Sequence, residues 1–242
     1  PDIAESWEVS EDFGTYTFHL REDAKWHDGT PITAYDIEYT MLRGANPPDG
    51  LLSLQQPRFT QITNIEIPDD HTIILTIETP KTGFLSDMTV SNIRYAHPKH
   101  LFDGNEPIRP EDVGYVSSGA FKFKRYKRGN VFEVEKFEDY FGKDAAGNQM
   151  PYLDGVQHII TYDASTHFAL FRVGRLDVSA RGAFWYLSPD HIEILEREMG
   201  DEFKYYQFPS FNWTVYFNPG EVEAFQDVRV RKAIQLWINR KD

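Results

Sequence analysis

The stretch that decides the fold is residues 3–43, IAESWEVSEDFGTYTFHLREDAKWHDGTPITAYDIEYTMLR. Apolar and polar residues alternate over residues 7–9 and again over 16–20, which is typical of β-strands. Residues 11–14, Glu-Asp-Phe-Gly, supply a turn between the two runs. The first half of the stretch therefore predicts a β-hairpin.

A tight turn and a capped helix make up the second half of the stretch. Gly29 is free to adopt a positive φ, and Pro31 fixes the direction in which the chain leaves the turn. Thr33 and Asp36 stand three residues apart, a variant of the capping box that begins a helix. This helix is predicted to bury one apolar stripe, formed by Ala34, Ile37 and Met41.

Composition limits the function classes. The 242 residues are enough for one large domain or two small ones with a hydrophobic core. With 38 acidic and 25 basic residues the net charge is −13, which argues against a nucleic-acid-binding protein and against a polybasic membrane surface. The absence of cysteine excludes disulfides, thiolate nucleophiles and cysteine-ligated metal centres. No run approaches the roughly 18 apolar residues of a membrane-spanning helix, so no membrane insertion is predicted.

The rest of the chain mixes strands and helices, joined by turns rich in Gly, Pro and Asn. Strands are predicted over residues 62–67, 72–78, 121–126, 131–135, 156–162, 176–178, 203–208 and 213–217. Helices are predicted over residues 81–90, 163–174 and 188–200. A last helix is predicted to bury a stripe formed by Val230, Ala233, Ile234 and Trp237.

Two histidines three residues apart, His97 and His100, raise the question of a metal site. Pro98 breaks a helical face that they could share, and neither a carboxylate nor a third histidine stands at ligand spacing. We therefore predict no metal site there, and no cofactor is predicted anywhere in the chain.

The order of residues is more specific than their periodicity. The segments SW-E, YTFHLR and KWHDGTP-TA-D resemble the extracytoplasmic solute-binding proteins of ABC importers, within them the peptide/nickel-type group, family 5. Residues 118–121, SGAF, resemble the GTGP(Y/F) loop of that family, which crosses between subdomains beside the cleft, although Ser and Ala replace Thr and Pro. LDV at 176–178 and FQDVRVRKAI at 225–234 resemble two further motifs.

This resemblance implies a mixed α/β (α+β) fold, a type II periplasmic-binding-protein-like lobe with an extra small subdomain. Residues 1–98 would form the small subdomain of hairpins and a helix, and residues 99–242 part of the core of the first lobe. Family members are roughly twice as long, and the chain begins at Pro1-Asp2 without Met. The chain is therefore expected to be a piece of a longer protein from which the second lobe is absent. The opening stretch is expected to be remote from the solute, with Trp7, Phe18 and Trp26 in the core.

The resemblance also implies a function. Such proteins bind a solute between two lobes that close by hinge motion, and they deliver it to the permease subunits of an ABC transporter. The predicted solute is a peptide or an oligosaccharide, and the predicted location is periplasmic or extracellular, with a lipid anchor in the full-length protein. The family positions place six residues at the cleft as ligand-binding: Phe184, Trp185, Tyr186, Phe211, Asn212 and Trp213.

Two other classes of protein stay open. An aromatic groove and paired carboxylates could belong to a secreted carbohydrate-active enzyme, but pairs such as Glu133 and Glu135 are typical of a solvated strand face. A ligand-sensing domain of a regulator could use the same binding fold.

Arg229 and Arg231 could clamp a carboxylate, but structural contacts are the preferred interpretation, because the motif is shared across ligand types. Binding without catalysis is therefore predicted.

Overall fold

The computed structural model describes residues 2–89, 96–104, 114–179, 187–206 and 216–237. The chain divides into two units, Pro1–His167 and Phe168–Asp242. The predicted subdomain division at residue 98 refers to the lobe of the family and stays a prediction.

The predicted first hairpin is confirmed. Strands β1 (Ala4–Val9) and β2 (Thr15–Leu20) pair antiparallel, with Trp7 opposite Phe18. In the turn, the side chain of Asp12 accepts a hydrogen bond from the Gly14 backbone N–H at 3.0 Å.

A second hairpin completes a four-stranded sheet. Strands β3 (Ile62–Asp69) and β4 (Thr72–Ile77) pair antiparallel, and the strand order is β1-β2-β4-β3. Alternate residues of the central strands point into the core of the first unit, because side chains of a strand alternate between the two faces. The buried residues that the two central strands contribute are Tyr16, Leu20, Ile73, Leu75 and Ile77.

Helix α1 (Ala34–Ala45) begins at the predicted cap and packs its apolar stripe on this sheet. The preceding turn is closed by a bridge between Lys25 and Pro31, and Gly29 has φ 90°. Trp26 is fully buried there, as predicted. Trp7, in contrast, is 47% exposed, so its predicted core role is wrong. It shares the face of Phe18 but lies on the edge strand, where no further strand covers it in the described sheet.

Three short helices follow in the first unit: α2 (Gln56–Phe59), α3 (Phe84–Thr89) and α4 (Lys99–Phe102). A separate antiparallel sheet consists of β5 (Phe121–Lys127), β6 (Val131–Lys136) and β7 (Gly155–Ile159) in that order. The strands predicted over residues 121–126 and 131–135 are thereby confirmed, and they form a hairpin whose turn contains Gly129 at φ 68°.

Helices dominate the remainder. Helix α5 (Ala164–Arg172) begins after Asp163, whose side chain accepts a hydrogen bond from Thr166 N at 2.6 Å. Helix α6 (Pro189–Met199) and helix α7 (Val228–Trp237) follow in the second unit. The core of that unit is formed by Phe171, Leu195 and Phe203.

Several predictions for the second unit are wrong. Residues 176–178 and 203–206 are not strands, because alternation over so short a run forms a strand only where another strand pairs with it. The predicted strand over 213–217 lies largely outside the described residues. In α7, Ala233 is exposed and Trp237 is 86% exposed, so the predicted buried stripe fails there. Helical spacing shows which residues share a face, but not whether another element covers that face.

Candidate functional site

The six residues predicted to bind the ligand all lie outside the described part of the chain. These are Phe184, Trp185, Tyr186, Phe211, Asn212 and Trp213. Their assignment as a site stays a prediction, and the described structure contributes the segments that precede and follow them.

Exposed tyrosines stand next to the second group in the sequence. Tyr206 is 78% exposed and Tyr216 is 87% exposed. A ring exposed to this degree contributes little to core packing and is available for stacking on a ligand. Both were predicted only as strand residues. The signal that marks them is the density of aromatic side chains over residues 203–217.

Helix α6 gives the second unit a rigid support. At its start the Ser188 hydroxyl accepts a hydrogen bond from His191 N, and Ser188 N donates to His191 Nδ1, both at 3.3 Å. The His191 ring then stacks on Phe168 with a centroid distance of 4.3 Å. Leu195, one helical turn further on, is fully buried against Phe171 and Phe203. The helix predicted over residues 188–200 is confirmed.

A groove of about 400 Å³ lies between α5 and α6. Its two charged lining residues pair with each other, since Arg172 Nη2 donates to Glu198 Oε1 at 2.7 Å. The groove therefore offers mainly apolar contacts, from Phe168, Ala169, Val173 and Met199.

In the first unit, the turn closed by Lys25 and Pro31 contacts the segment that resembles the crossing loop. His27 N donates to Ser117 O at 2.8 Å, and His27 Nε2 lies 2.8 Å from Gly119 O. The opening stretch was expected to be remote from the solute, yet it holds the one described segment that the resemblance places beside the cleft. Burial lowers the pKa of His27, and the nearby Lys122 ammonium lowers it further, while Gly119 O and Asp28 act in the opposite direction.

Polar contacts continue from this turn to α4. Asp28 Oδ2 lies 2.8 Å from His100 Nε2. Burial, the largest single effect, raises the pKa of Asp28, but hydrogen bonds from His100 and Thr30 outweigh it and the net pKa lies below the usual value. Asp36 is buried, and it accepts hydrogen bonds from Thr33 N at 2.9 Å and from Lys99 N at 2.8 Å. A single carboxylate thus caps α1 and anchors the start of α4.

His97 and His100 contact different partners. The His97 ring packs against Phe102 with a centroid distance of 5.1 Å, whereas His100 contacts Asp28. Burial, followed by the charge of Arg43, lowers the pKa of His97. Within the described ranges, no group of three His, Asp or Glu side chains could hold a metal ion.

A second groove, of about 350 Å³, lies beside the end of α1 in the first unit. Its lining includes Thr40, Arg43, Phe59, His97 and the prolines at 47 and 48. Two leucines of the following loop are largely exposed, Leu52 at 98% and Leu54 at 87%. Arg43 contacts Tyr39 and the Phe102 ring, so its charge serves local packing.

Arg229 and Arg231, which lie within the last predicted motif at residues 225–234, make local contacts. Arg229 Nη2 pairs with Asp227 Oδ2 at 2.6 Å, and Arg231 donates to the backbone oxygens of Phe225 and Gln226. These contacts agree with the structural interpretation of both side chains.

In the described part of the chain, no helix is long and apolar enough to cross a membrane.

The fold contains two antiparallel sheets, with helix α1 packed on the first. It matches the class formed by the lobes of periplasmic binding proteins, as solved structures of that class show. The chain belongs to the bacterial extracellular solute-binding proteins, family 5 Middle, whose family model matches residues 1–242. The predicted family and fold class are confirmed.

Individual relatives show the extent of the likeness. The dipeptide-binding protein DppE of Bacillus subtilis is 29% identical over 100% of this chain and 44% of the relative. The structure of AgaA from A. tumefaciens R10 in complex with agropinic acid is 31% identical, with a TM-score of 0.63 over 73% of this chain and 34% of that one. Haemophilus influenzae OppA in complex with RPPGFSPFR is 26% identical, with a TM-score of 0.66 over 82% of this chain and 40% of that one. The chain thus spans less than half the length of these relatives.

Proposed function

We propose that this chain is part of the solute-binding component of an ABC importer, which captures a peptide outside the cytoplasm and delivers it to the permease subunits in the membrane. The observation that carries the proposal is the family match along residues 1–242, together with collinear similarity to DppE over the whole chain. The role is binding rather than catalysis, because the relatives are named as binding proteins.

The proposed solute class is peptide. DppE and OppA are named for peptides, while AgaA was solved with agropinic acid, an opine-type alternative at 31% identity. The oligosaccharide alternative has no support from these names.

The proposed location is periplasmic or extracellular, since OppA of H. influenzae is named as periplasmic. A lipid anchor in the full-length protein is part of the same proposal.

The proposed binding residues remain the six aromatic and amide side chains predicted above, with Tyr206 and Tyr216 added from their exposure. Aromatic rings supply large contact areas to peptide side chains, and the amide of Asn212 can both donate to and accept from a peptide backbone. A binding site of this kind depends on burial between two lobes, because enclosure provides most of the contact area.

Calorimetry on the product of the complete open reading frame tests this function. We expect binding of di- to nonapeptides, and a loss of about 10- to 100-fold in affinity for Trp213→Ala, which removes roughly 1.5–3 kcal/mol of apolar contact. Trp7→Ala is the matched control, since Trp7 is exposed on β1, and its affinity should be unchanged. The 242-residue chain alone should bind weakly or not at all. Micromolar affinity for that chain alone would contradict the need for enclosure.

The competing classes predict different results. Turnover of a glycoside that is abolished by substitution of one carboxylate would support the carbohydrate-active enzyme. A DNA-binding domain encoded in the same reading frame would support the sensory domain. An export signal followed by a lipid-anchor cysteine would support the importer component.

A further inference from the structure

The feature that carries a further inference is the imidazole of His27, between the Lys25–Pro31 turn and residues 117–120. Its Nε2 lies 2.8 Å from Gly119 O, and a carbonyl oxygen can only accept a hydrogen bond. Nε2 therefore carries the proton and donates it. The backbone N–H of His27 also donates to Ser117 O at 2.8 Å, so two hydrogen bonds fix two positions of the segment.

The other ring nitrogen, Nδ1, is shielded from solvent and has no hydrogen-bond partner in the described part of the chain. The ring packs edge-on against Phe137, with a centroid distance of 5.0 Å and an interplanar angle of 63°. A neutral imidazole tolerates this position, because Nδ1 then has a lone pair and no N–H. Protonation would place a charged N–H where neither water nor an acceptor reaches it, which is costly.

The charges around the ring also favour the neutral form. Lys122, which belongs to β5, opposes a positive charge on His27. Asp28 favours one, but it already accepts hydrogen bonds from His100 at 2.8 Å and from Thr30 N at 3.0 Å. Phe137, which follows β6, contacts the His27 ring with an uncharged aromatic side chain.

Residues 117–120 depend on contacts from outside the segment. Gly119 leaves the backbone free to vary, and an added Cβ there would meet nothing within 4 Å. His27 holds the segment at Ser117 and Gly119, while Phe137 N donates to Ala120 O at 3.0 Å. The segment leads directly into β5, so its position sets where that strand begins.

We propose that His27 is a positioning residue: its neutral imidazole fixes residues 117–120, and acidification releases them by protonating the ring. The link to solute binding rests on the proposed function, because only the family resemblance puts this segment beside the cleft. In that setting the solute affinity falls with pH through His27, although His27 itself touches no solute.

Hydrogen exchange with mass spectrometry tests the positioning directly. In the 242-residue chain, peptides that cover the backbone N–H groups of His27 and Phe137, which donate to Ser117 O and Ala120 O, are compared at pH 7 and pH 5, after correction for intrinsic exchange rates. The wild type should lose protection there at pH 5, whereas residues 72–77 of β4 serve as an internal reference. In His27→Gln the side-chain amide can still donate to Gly119 O but does not titrate, so protection should be present at both pH values. His27→Phe should lose it at both, and His19→Gln should behave like the wild type.

Two results would overturn the proposal. One is equal protection of the His27 and Phe137 backbone N–H groups at both pH values in the wild type, and the other is the same pH dependence in His27→Gln as in the wild type. If His27→Phe also exposes β4, that variant reports misfolding, and His27→Gln decides alone.

Peptide titration of the complete open reading frame product at the same two pH values tests the link to the solute. Weaker binding at pH 5 in the wild type, but not in His27→Gln, supports it, and identical profiles refute it. If no peptide binds at pH 7 or at pH 5, the proposed function is contradicted. The exchange result still decides the role of His27.

Discussion

Asp36 offers the sharpest test of how the first unit is held together. Asp36 is 4% exposed, and its carboxylate accepts hydrogen bonds from two backbone N–H groups, Thr33 N at 2.9 Å and Lys99 N at 2.8 Å, with the Thr33 hydroxyl as a further donor at 3.3 Å. The bond from Thr33 N caps α1. The bond from Lys99 N fixes the start of α4, and Lys99 lies 63 residues after Asp36 in the chain. Replacing Asp36 therefore removes two contacts of different range in one step.

The magnitude follows from the two bonds. A hydrogen bond to a charged group contributes about 1.5–3 kcal/mol, and a buried N–H left without an acceptor costs about as much as the lost bond. Asp36→Ala loses both bonds, so the free energy of unfolding of the first unit should fall by about 3–5 kcal/mol. Asp36→Asn keeps one acceptor oxygen but turns an amide N–H₂ towards the other backbone donor, so we expect a loss of about 2–3 kcal/mol.

Urea unfolding followed by circular dichroism measures the loss, and hydrogen exchange locates it. Because the chain has two units, exchange in β2 and β4 reports the first unit separately. Peptides that cover Lys99–Phe102 should lose protection in both Asp36 variants. Asp49→Asn, at an exposed position, is the matched control and should stay within about 0.5 kcal/mol of the wild type. An Asp36→Asn variant as stable as Asp49→Asn would refute the idea that this carboxylate joins the two helices.

Three further predictions concern a helix, a core and a loop. Gly44→Ala should destabilise the chain by about 1–3 kcal/mol in urea unfolding despite the higher helix propensity of Ala, because the new Cβ would lie 2.3 Å from the ring of the buried Phe59; a stabilised variant would contradict this close approach. Leu195→Ala should cost about 2–5 kcal/mol, because Leu195 is fully buried in the core of the second unit, whereas Leu236→Ala, at an 86% exposed position, should be nearly neutral. Equal losses for the two leucines would refute that core. The third prediction concerns the loop at Asp144, where hydrogen bonds from Tyr152 and Asn148 lower the pKa of the carboxyl from 3.8 to about 2. Since the folded pKa lies below the unfolded one, the stabilisation is present above about pH 4 and is lost as the pH falls towards 2; an NMR titration of the Asn148 amide should show this transition, and Asp144→Asn should abolish it.

Local signals account for the parts of the fold that the sequence predicted well. Each confirmed hairpin combines alternation with a turn of defined chemistry, such as Gly129 at φ 68°. Helices α1 and α6 each begin at a cap, formed by Thr33 with Asp36 and by Ser188 with His191. These interactions are encoded within a few positions, so the printed sequence contains all the information that they need.

Contacts between distant segments escaped prediction for the opposite reason. The Thr33 bond of Asp36 follows from local spacing, but its Lys99 bond spans 63 residues, and the His27–Gly119 contact spans 92. Nothing in the residue types at 27 or 119 specifies that pairing. Only the folded chain brings them together, so neither spacing nor residue type could predict that the opening stretch contacts residues 117–119.

The aromatic residues show the same limit for the candidate site. Trp7 lies in an alternating run and Trp26 in the following turn; both were predicted to lie in the core, yet one is 47% exposed and the other fully buried. An aromatic pattern therefore indicates a large apolar contact area without deciding whether the protein's own core or a ligand occupies it. Exposure decides between the two, and in the second unit it adds Tyr206 and Tyr216 to the residues that substitution should test. If Trp213→Ala weakens peptide binding and Trp7→Ala does not, the difference will come from position in the fold, since the two substitutions are chemically identical.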